Sequence, residues 1–96
     1  MNLMNLLQEK RDEIVKIATH YGAKDIRVFG SVARGDAGPD SDVDFLVRLE
    51  PGTTLLRHAA LIRELGNLLG CKVDVVSERG LRERIRDRVI REATPI

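Results

Sequence analysis

Gly30-Ser31-Val32-Ala33-Arg34-Gly35, followed by Ser41-Asp42-Val43-Asp44-Phe45-Leu46-Val47, is the stretch on which the reading of this chain turns. Just ahead of it, Ile26-Arg27-Val28-Phe29 has the β-branched and aromatic content of a short strand, so Gly30-Ser31 falls on a strand-to-helix turn. Backbone N–H groups at such a turn, with the Ser31 hydroxyl beside them, can face an anion. Further on, Val43, Phe45 and Val47 alternate with Asp42, Asp44 and Leu46. A strand's two-residue period puts the apolar set on one face and both aspartates on the other.

Two carboxylates side by side on a strand repel each other and are costly to keep ionised unless a cation sits between them. Oxygen ligands of this kind suit magnesium, or manganese, and magnesium usually completes its shell with water and nucleotide phosphates. A third acidic candidate, Asp74, interrupts the strand-like run Lys72-Val73-Asp74-Val75-Val76. If that strand neighbours the first pair, Asp74 completes a triad able to hold two metal ions around an in-line displacement at phosphorus. Asp74 would then help deprotonate the incoming hydroxyl. Phosphate grip and metal grip would meet on one nucleotide.

The two motifs together resemble the signature of the minimal nucleotidyltransferases of the DNA polymerase beta superfamily, and the likeness covers nearly the whole chain. It implies an α/β (α+β) fold in which a small mixed β-sheet is flanked by helices. In that family the glycine and serine hold the nucleotide phosphates, the paired aspartates hold two magnesium ions, and a third aspartate assists the attacking hydroxyl. Those roles would fall on Gly30, Ser31, Asp42, Asp44 and Asp74. Phe45 stands where leucine is more usual, a change within apolar core chemistry. Many such proteins are antitoxins that silence a HEPN-domain ribonuclease toxin by attaching AMP, taken from ATP, to a toxin tyrosine. The resemblance implies the same partner and nucleotide here.

Length and composition set separate limits. The 96 residues are expected to form one domain, 1–96, with a modest aliphatic core. Tyr21, Phe29 and Phe45 are the only aromatics and the formal net charge is +1, so neither base stacking nor a basic field favours direct nucleic-acid binding. The single Cys71 rules out an internal disulfide or a multi-cysteine zinc site and fits a reducing cytoplasm, with burial in the core as its ordinary role. No apolar run approaches a membrane span, and Glu9-Lys10-Arg11-Asp12 follows the apolar start too soon for a signal peptide. A soluble cytoplasmic protein is expected.

Around the motifs, apolar spacing predicts a helix from Leu3 to Tyr21 that uses Leu3, Leu7, Ile14, Ile17, Ala18 and Tyr21 and ends at Gly22. Arg34 to Asp40 reads as a loop that could cover a nucleotide. A helix from about Thr54 to Leu69 carries a stripe of Leu55, Ile62, Leu65 and Leu69, closed by Gly70. Leu81, Ile85 and Val89 mark one ridge of a last helix ending near Thr94-Pro95. Six of the twelve arginines crowd its other faces, interleaved with Glu78, Glu83, Asp87 and Glu92, which reads as a solvated, salt-bridged surface or a docking face. His20 and His58 lie in helical stretches without metal-ligand or nucleophile partners, and surface or capping roles are expected of them.

Competing motifs fail on the letters. Asp36-Ala37 follows Gly35 where a P-loop needs lysine and a hydroxyl residue, and Phe45 and Pro51 occupy the glycine and glutamate positions of a calcium loop. A sugar-nucleotide transferase also uses Asp-x-Asp but needs more chain. Ser31 alone could be a helix cap; beside Gly30 it reads as a phosphate ligand. Arg34 could reach a triphosphate or anchor its loop. The leading expectation is a magnesium-dependent transfer of AMP from ATP to a hydroxyl on another protein, since so short a chain leaves the cleft open on one side. Two other readings remain: an antitoxin that neutralises its partner by occlusion without catalysis, and a transferase acting on a small hydroxylated molecule.

Overall fold

The computed structural model describes residues 3–38 and 40–96. Its elements run α1 (Leu3–Glu9), α2 (Arg11–His20), β1 (Ala23–Phe29), α3 (Ser31–Arg34), β2 (Val43–Leu49), α4 (Leu55–Leu69), β3 (Val73–Ser77), a 3-10 turn (Glu78–Gly80), α5 (Glu83–Glu92) and β4 (Thr94–Pro95). The four strands form one mixed sheet in the order β3-β2-β1-β4. β2 is the inner strand with the most apolar sequence, and Val43, Phe45, Leu46 and Val47 are all fully buried. It runs antiparallel to β1 and parallel to β3. A parallel pair needs a long crossover, and α4 supplies it. The result is the small mixed sheet flanked by helices that the sequence leads one to expect.

Alternation sorts the sheet's two faces. Val28, Phe45 and Val75 lie in one row of the register and enter the main core with Leu7, Ile14, Ala18, Leu61 and Leu65 from the helices. Leu46 points the other way; it and Val89 of α5 are each buried outside that main core. Asp44 belongs to the Leu46 face, two residues earlier.

Three details depart from the sequence reading. The first helix bends: Lys10 takes φ −99°, ψ 14°, between α1 and α2, although Lys10 N–H to Leu6 O and Ile14 N–H to Lys10 O continue the helical spacing. Gly22 follows α2 at φ +79°, as expected of a residue that ends a helix. In α4 the buried stripe is Leu61, Leu65 and Leu69, whereas Leu55 is 87% exposed. Leu55 lies six residues before Leu61, about a third of a turn off that stripe. At the C-terminal end Leu81 precedes α5, Ile85 is exposed and Val89 is the one buried residue of the helix, so the four-residue spacing overstated the ridge. Thr94 and Pro95 leave the helix and pair antiparallel with Val28 and Arg27, on an outer edge where proline is tolerated.

His58 has a more specific role than a surface one. Its Nε2 lies 2.7 Å from the Val75 carbonyl oxygen, so that nitrogen donates and ties α4 to β3. β3 is one of the two outer strands, where alternate carbonyls lack a neighbour in the sheet. His58→Ala is expected to cost about 1 kcal/mol, measured as a lower urea midpoint at unchanged slope.

Candidate active site

Three chain segments meet where β1 ends and β2 and β3 begin. The register sets Phe29, Asp44 and Asp74 side by side across the three strands. Neighbouring strands lie about 4.8 Å apart, which makes the two carboxylates immediate neighbours. Asp42 stands one pleat before Asp44, just ahead of β2, and the pairing persists there through Val43 N–H to Lys72 O at 3.0 Å. The triad expected from spacing is thus brought to one face and one end of the sheet.

Gly30 closes the turn against this row. Its backbone, φ +72° and ψ −149°, lies in a region that side chains essentially exclude. A Cβ placed there would lie 2.6 Å from Asp44 Oδ2. Glycine is therefore required twice over, by conformation and by the approach of the carboxylate. Ser31 opens α3 directly afterwards, and among the described residues its hydroxyl makes no hydrogen bond.

Electrostatics mark Asp44 as the strained centre. Partial burial raises its carboxyl above the ordinary range, and the charges of Asp74 and then Asp42 push it further, with Arg34 opposing. Asp42 has Lys72 Nζ at 4.0 Å, but both side chains are exposed and the pair contributes little. Asp74 accepts Val75 N–H through Oδ1 at 2.9 Å, which orients its carboxylate. Burial, then Asp42, raises the Cys71 thiol, so this half-buried cysteine is expected to alkylate slowly.

Among the described residues no three acidic, histidine or cysteine side chains already converge as a closed metal cage. The donor set nevertheless fits a hard divalent ion: three carboxylates share one face, and the innermost is electrostatically uncomfortable without a counter-charge. In the metal-free chain Asp44 holds its proton to higher pH when folded than when unfolded. Its contribution to stability is therefore fully present below the unfolded value of 3.8 and is lost as pH rises through the folded value. Asp44→Asn removes this penalty. With EDTA at neutral pH the variant is expected to melt higher than the parent, and calorimetry with and without the chelator checks this.

Arg34 and Glu92 complete the neighbourhood. Arg34 pairs with Asp36 at 3.3 Å and with Glu92 at 3.0 Å, and these carboxylates, Asp36 first, hold its guanidinium more firmly protonated. Glu92 Oε1 also accepts Gly30 N–H at 2.8 Å. In the sequence Glu92 is one acidic residue among many on the last helix, and nothing local connects it to a glycine 62 positions away. A separate hollow of about 530 Å³ lies at the opposite end of the sheet, lined in part by Lys24, Arg48, Glu50 and Ser77. Shape favours that hollow and chemistry the carboxylate row; the row carries the reactive groups and is the better candidate.

Residues 8–95 match the family model described as the nucleotidyltransferase domain. The chain belongs to that family and is a nucleotidyltransferase. Within it the chain is a minimal nucleotidyltransferase: a solved structure provisionally described by that term is 51% identical and superposes with a TM-score of 0.88 over 100% of this chain and 97% of the other. The protein adenylyltransferase MntA of Thermococcus cleftensis is 42% identical over 77 residues, covering 80% of this chain and 78% of that protein. A solved toxin-antitoxin with AMP-PNP shares the fold, with a TM-score of 0.75 at 22% identity over 86% of this chain and 68% of the other. Among the described residues no helix is long and apolar enough to cross a membrane.

Proposed function

We propose that this chain is a magnesium-dependent protein adenylyltransferase that moves AMP from ATP onto a hydroxyl, a tyrosine, of a cognate HEPN ribonuclease toxin in the cytoplasm, and so acts as its antitoxin. The observation that carries the reading is Asp44, in register with Asp74, two residues from Asp42 and against the Gly30 turn. The similarity to MntA of T. cleftensis supports protein as the acceptor, and the fold shared with a toxin-antitoxin pair supports a toxin as that protein.

Asp42, Asp44 and Asp74 would hold two magnesium ions, or manganese. When bound, these supply charge neutralisation for the phosphates and the departing pyrophosphate. The chain's own residues do the rest. The Ser31 N–H and hydroxyl receive the terminal phosphates, and the Gly30 turn leaves no side chain between them and Asp44. The acceptor oxygen attacks the α-phosphorus and forms the new P–O bond as the α–β bridging bond breaks. Pyrophosphate leaves with that electron pair. The hydroxyl proton passes to Asp74, whose Oδ1 is oriented by Val75 N–H.

The test is the intact mass of the partner toxin after incubation with this chain, magnesium and ATP. One or more added AMP units, absent with Asp42→Ala/Asp44→Ala, are expected. Neutralisation that survives in the folded double variant would point instead to occlusion, and turnover on a small hydroxylated molecule without any partner would point to a different acceptor.

A further inference from the structure

Helix α3 is only four residues long, and its capping residue, Gly30, has no side chain. A helix this short is marginal alone, and its first N–H groups need outside acceptors. In the usual local solution a glutamate three residues inside the helix reaches back to the N–H of the capping residue. Ala33 holds that position here and cannot do so. The carboxylate arrives from the other end of the chain: Glu92 Oε1 accepts Gly30 N–H at 2.8 Å and, on the same oxygen, Arg34 Nη1 at 3.0 Å.

We propose that Glu92 is a positioning residue of the nucleotide site, a cap supplied from α5 that holds both ends of the Gly30–Arg34 turn and fixes where its remaining donors point. One oxygen spans the first and last residues of the turn, so the turn cannot open without breaking at least one charge-assisted bond. The Glu92 side chain is only 24% exposed, and the acceptor of its Gly30 bond is partly buried. Glu92 is itself well anchored. It is the last residue of α5, Val89 of the same helix is buried, and two residues later Thr94 pairs with Val28 on β1, the strand that ends at the turn. Gly30 therefore sits between two carboxylates with separate duties. Asp44 occupies the space where a side chain would be, and Glu92 takes the N–H. Ser31 is left with its hydroxyl and N–H for an incoming phosphate. This inference rests on the transferase reading of the site.

The test compares Glu92→Ala, Glu92→Gln and Glu92→Asp with the parent, by amide exchange at Gly30 in the nucleotide-free protein and by titration with Mg·ATP. Glutamine keeps the reach and an acceptor oxygen; aspartate keeps the charge but is one methylene short. Gly30 N–H is expected to stay protected in the glutamine variant and to exchange faster in the other two. Mg·ATP affinity is expected to fall roughly tenfold or more in the alanine variant, the size expected for lost hydrogen bonds to a charged group. The aspartate variant should follow alanine, with glutamine nearer the parent. If the alanine variant does not fold, the aspartate and glutamine pair decides alone. Equal or tighter ATP binding in the folded alanine or aspartate variant overturns the inference and leaves the transferase reading standing. No ATP binding by the parent itself overturns both.

Discussion

Replacing Asp44 with alanine is expected to lower AMP transfer to the partner toxin by about a thousandfold or more while the chain stays folded. Burial raises the Asp44 carboxyl, and the charges of Asp74 and then Asp42 act on it as well. A carboxylate held in so unfavourable a place has its largest effect when a cation arrives, because attraction to that cation is least screened there. Losing one preorganised electrostatic group commonly costs a hundred- to a thousandfold, and Asp44, in register with Asp74 and two residues from Asp42, is the centre of the row. Asp44→Ala also removes a charge that the metal-free fold tolerates poorly, so loss of activity should come with an equal or higher melting temperature in EDTA. Added magnesium should raise the melting temperature of the parent and raise that of the variant much less. Loss of transfer together with lower stability would mean that Asp44 is a structural residue. Asp44→Glu is not expected to rescue, because the longer side chain displaces its carboxylate from the row it shares with Asp74.

What could be read from the letters follows the range of the interactions involved. Alternation from Asp42 to Val47 put Asp42 and Asp44 on one face without knowledge of any neighbour, because a strand's period is local. Glycine beside serine announced the turn for the same reason. The pairing of Asp44 with Asp74 is not local: it depends on α4 carrying the chain across to a parallel strand in one register, which a suitable run of residues suggests but does not specify. Leu55 shows the limit of counting apolar residues at helical spacing, since it lies about a third of a turn off the Leu61, Leu65 and Leu69 stripe that packs. The last helix shows it again. Ile85 fits the ridge by number and is exposed, because α5 buries a single residue, and the two residues after Ala93 serve as a strand rather than a helix end. Glu92 was hidden for a different reason. Its partner is 62 positions away, and its neighbours on the helix are charged residues whose pattern is that of an ordinary solvated surface.

Gly30→Ala is expected to be the most damaging single methyl group that can be added to this chain. Two independent penalties meet at one atom. Backbone at φ +72°, ψ −149° costs a residue with a Cβ about 1–3 kcal/mol. The new methyl would also press on Asp44 Oδ2 at 2.6 Å, closer than real contacts allow, so either the turn or the carboxylate must move. For a domain of this size the conformational penalty alone corresponds to a melting temperature lower by on the order of 10 °C. Each way of relieving the clash damages function. If the turn retreats, the Gly30 N–H leaves Glu92 and the Ser31 donors shift; if Asp44 rotates, the carboxylate row loses its centre. ATP affinity and transfer should therefore fall together, even well below the new melting temperature. Gly35→Ala is the matched control. Gly35 also has a positive φ, +80°, but nothing lies within 4 Å of the position its Cβ would take. Its ψ of 15° puts it in the left-handed helical region that side chains can enter, so it should lose less stability and keep far more of its activity. If the two variants lose activity equally at equal stability, contact with Asp44 is not what makes Gly30 necessary, and backbone conformation alone accounts for the glycine.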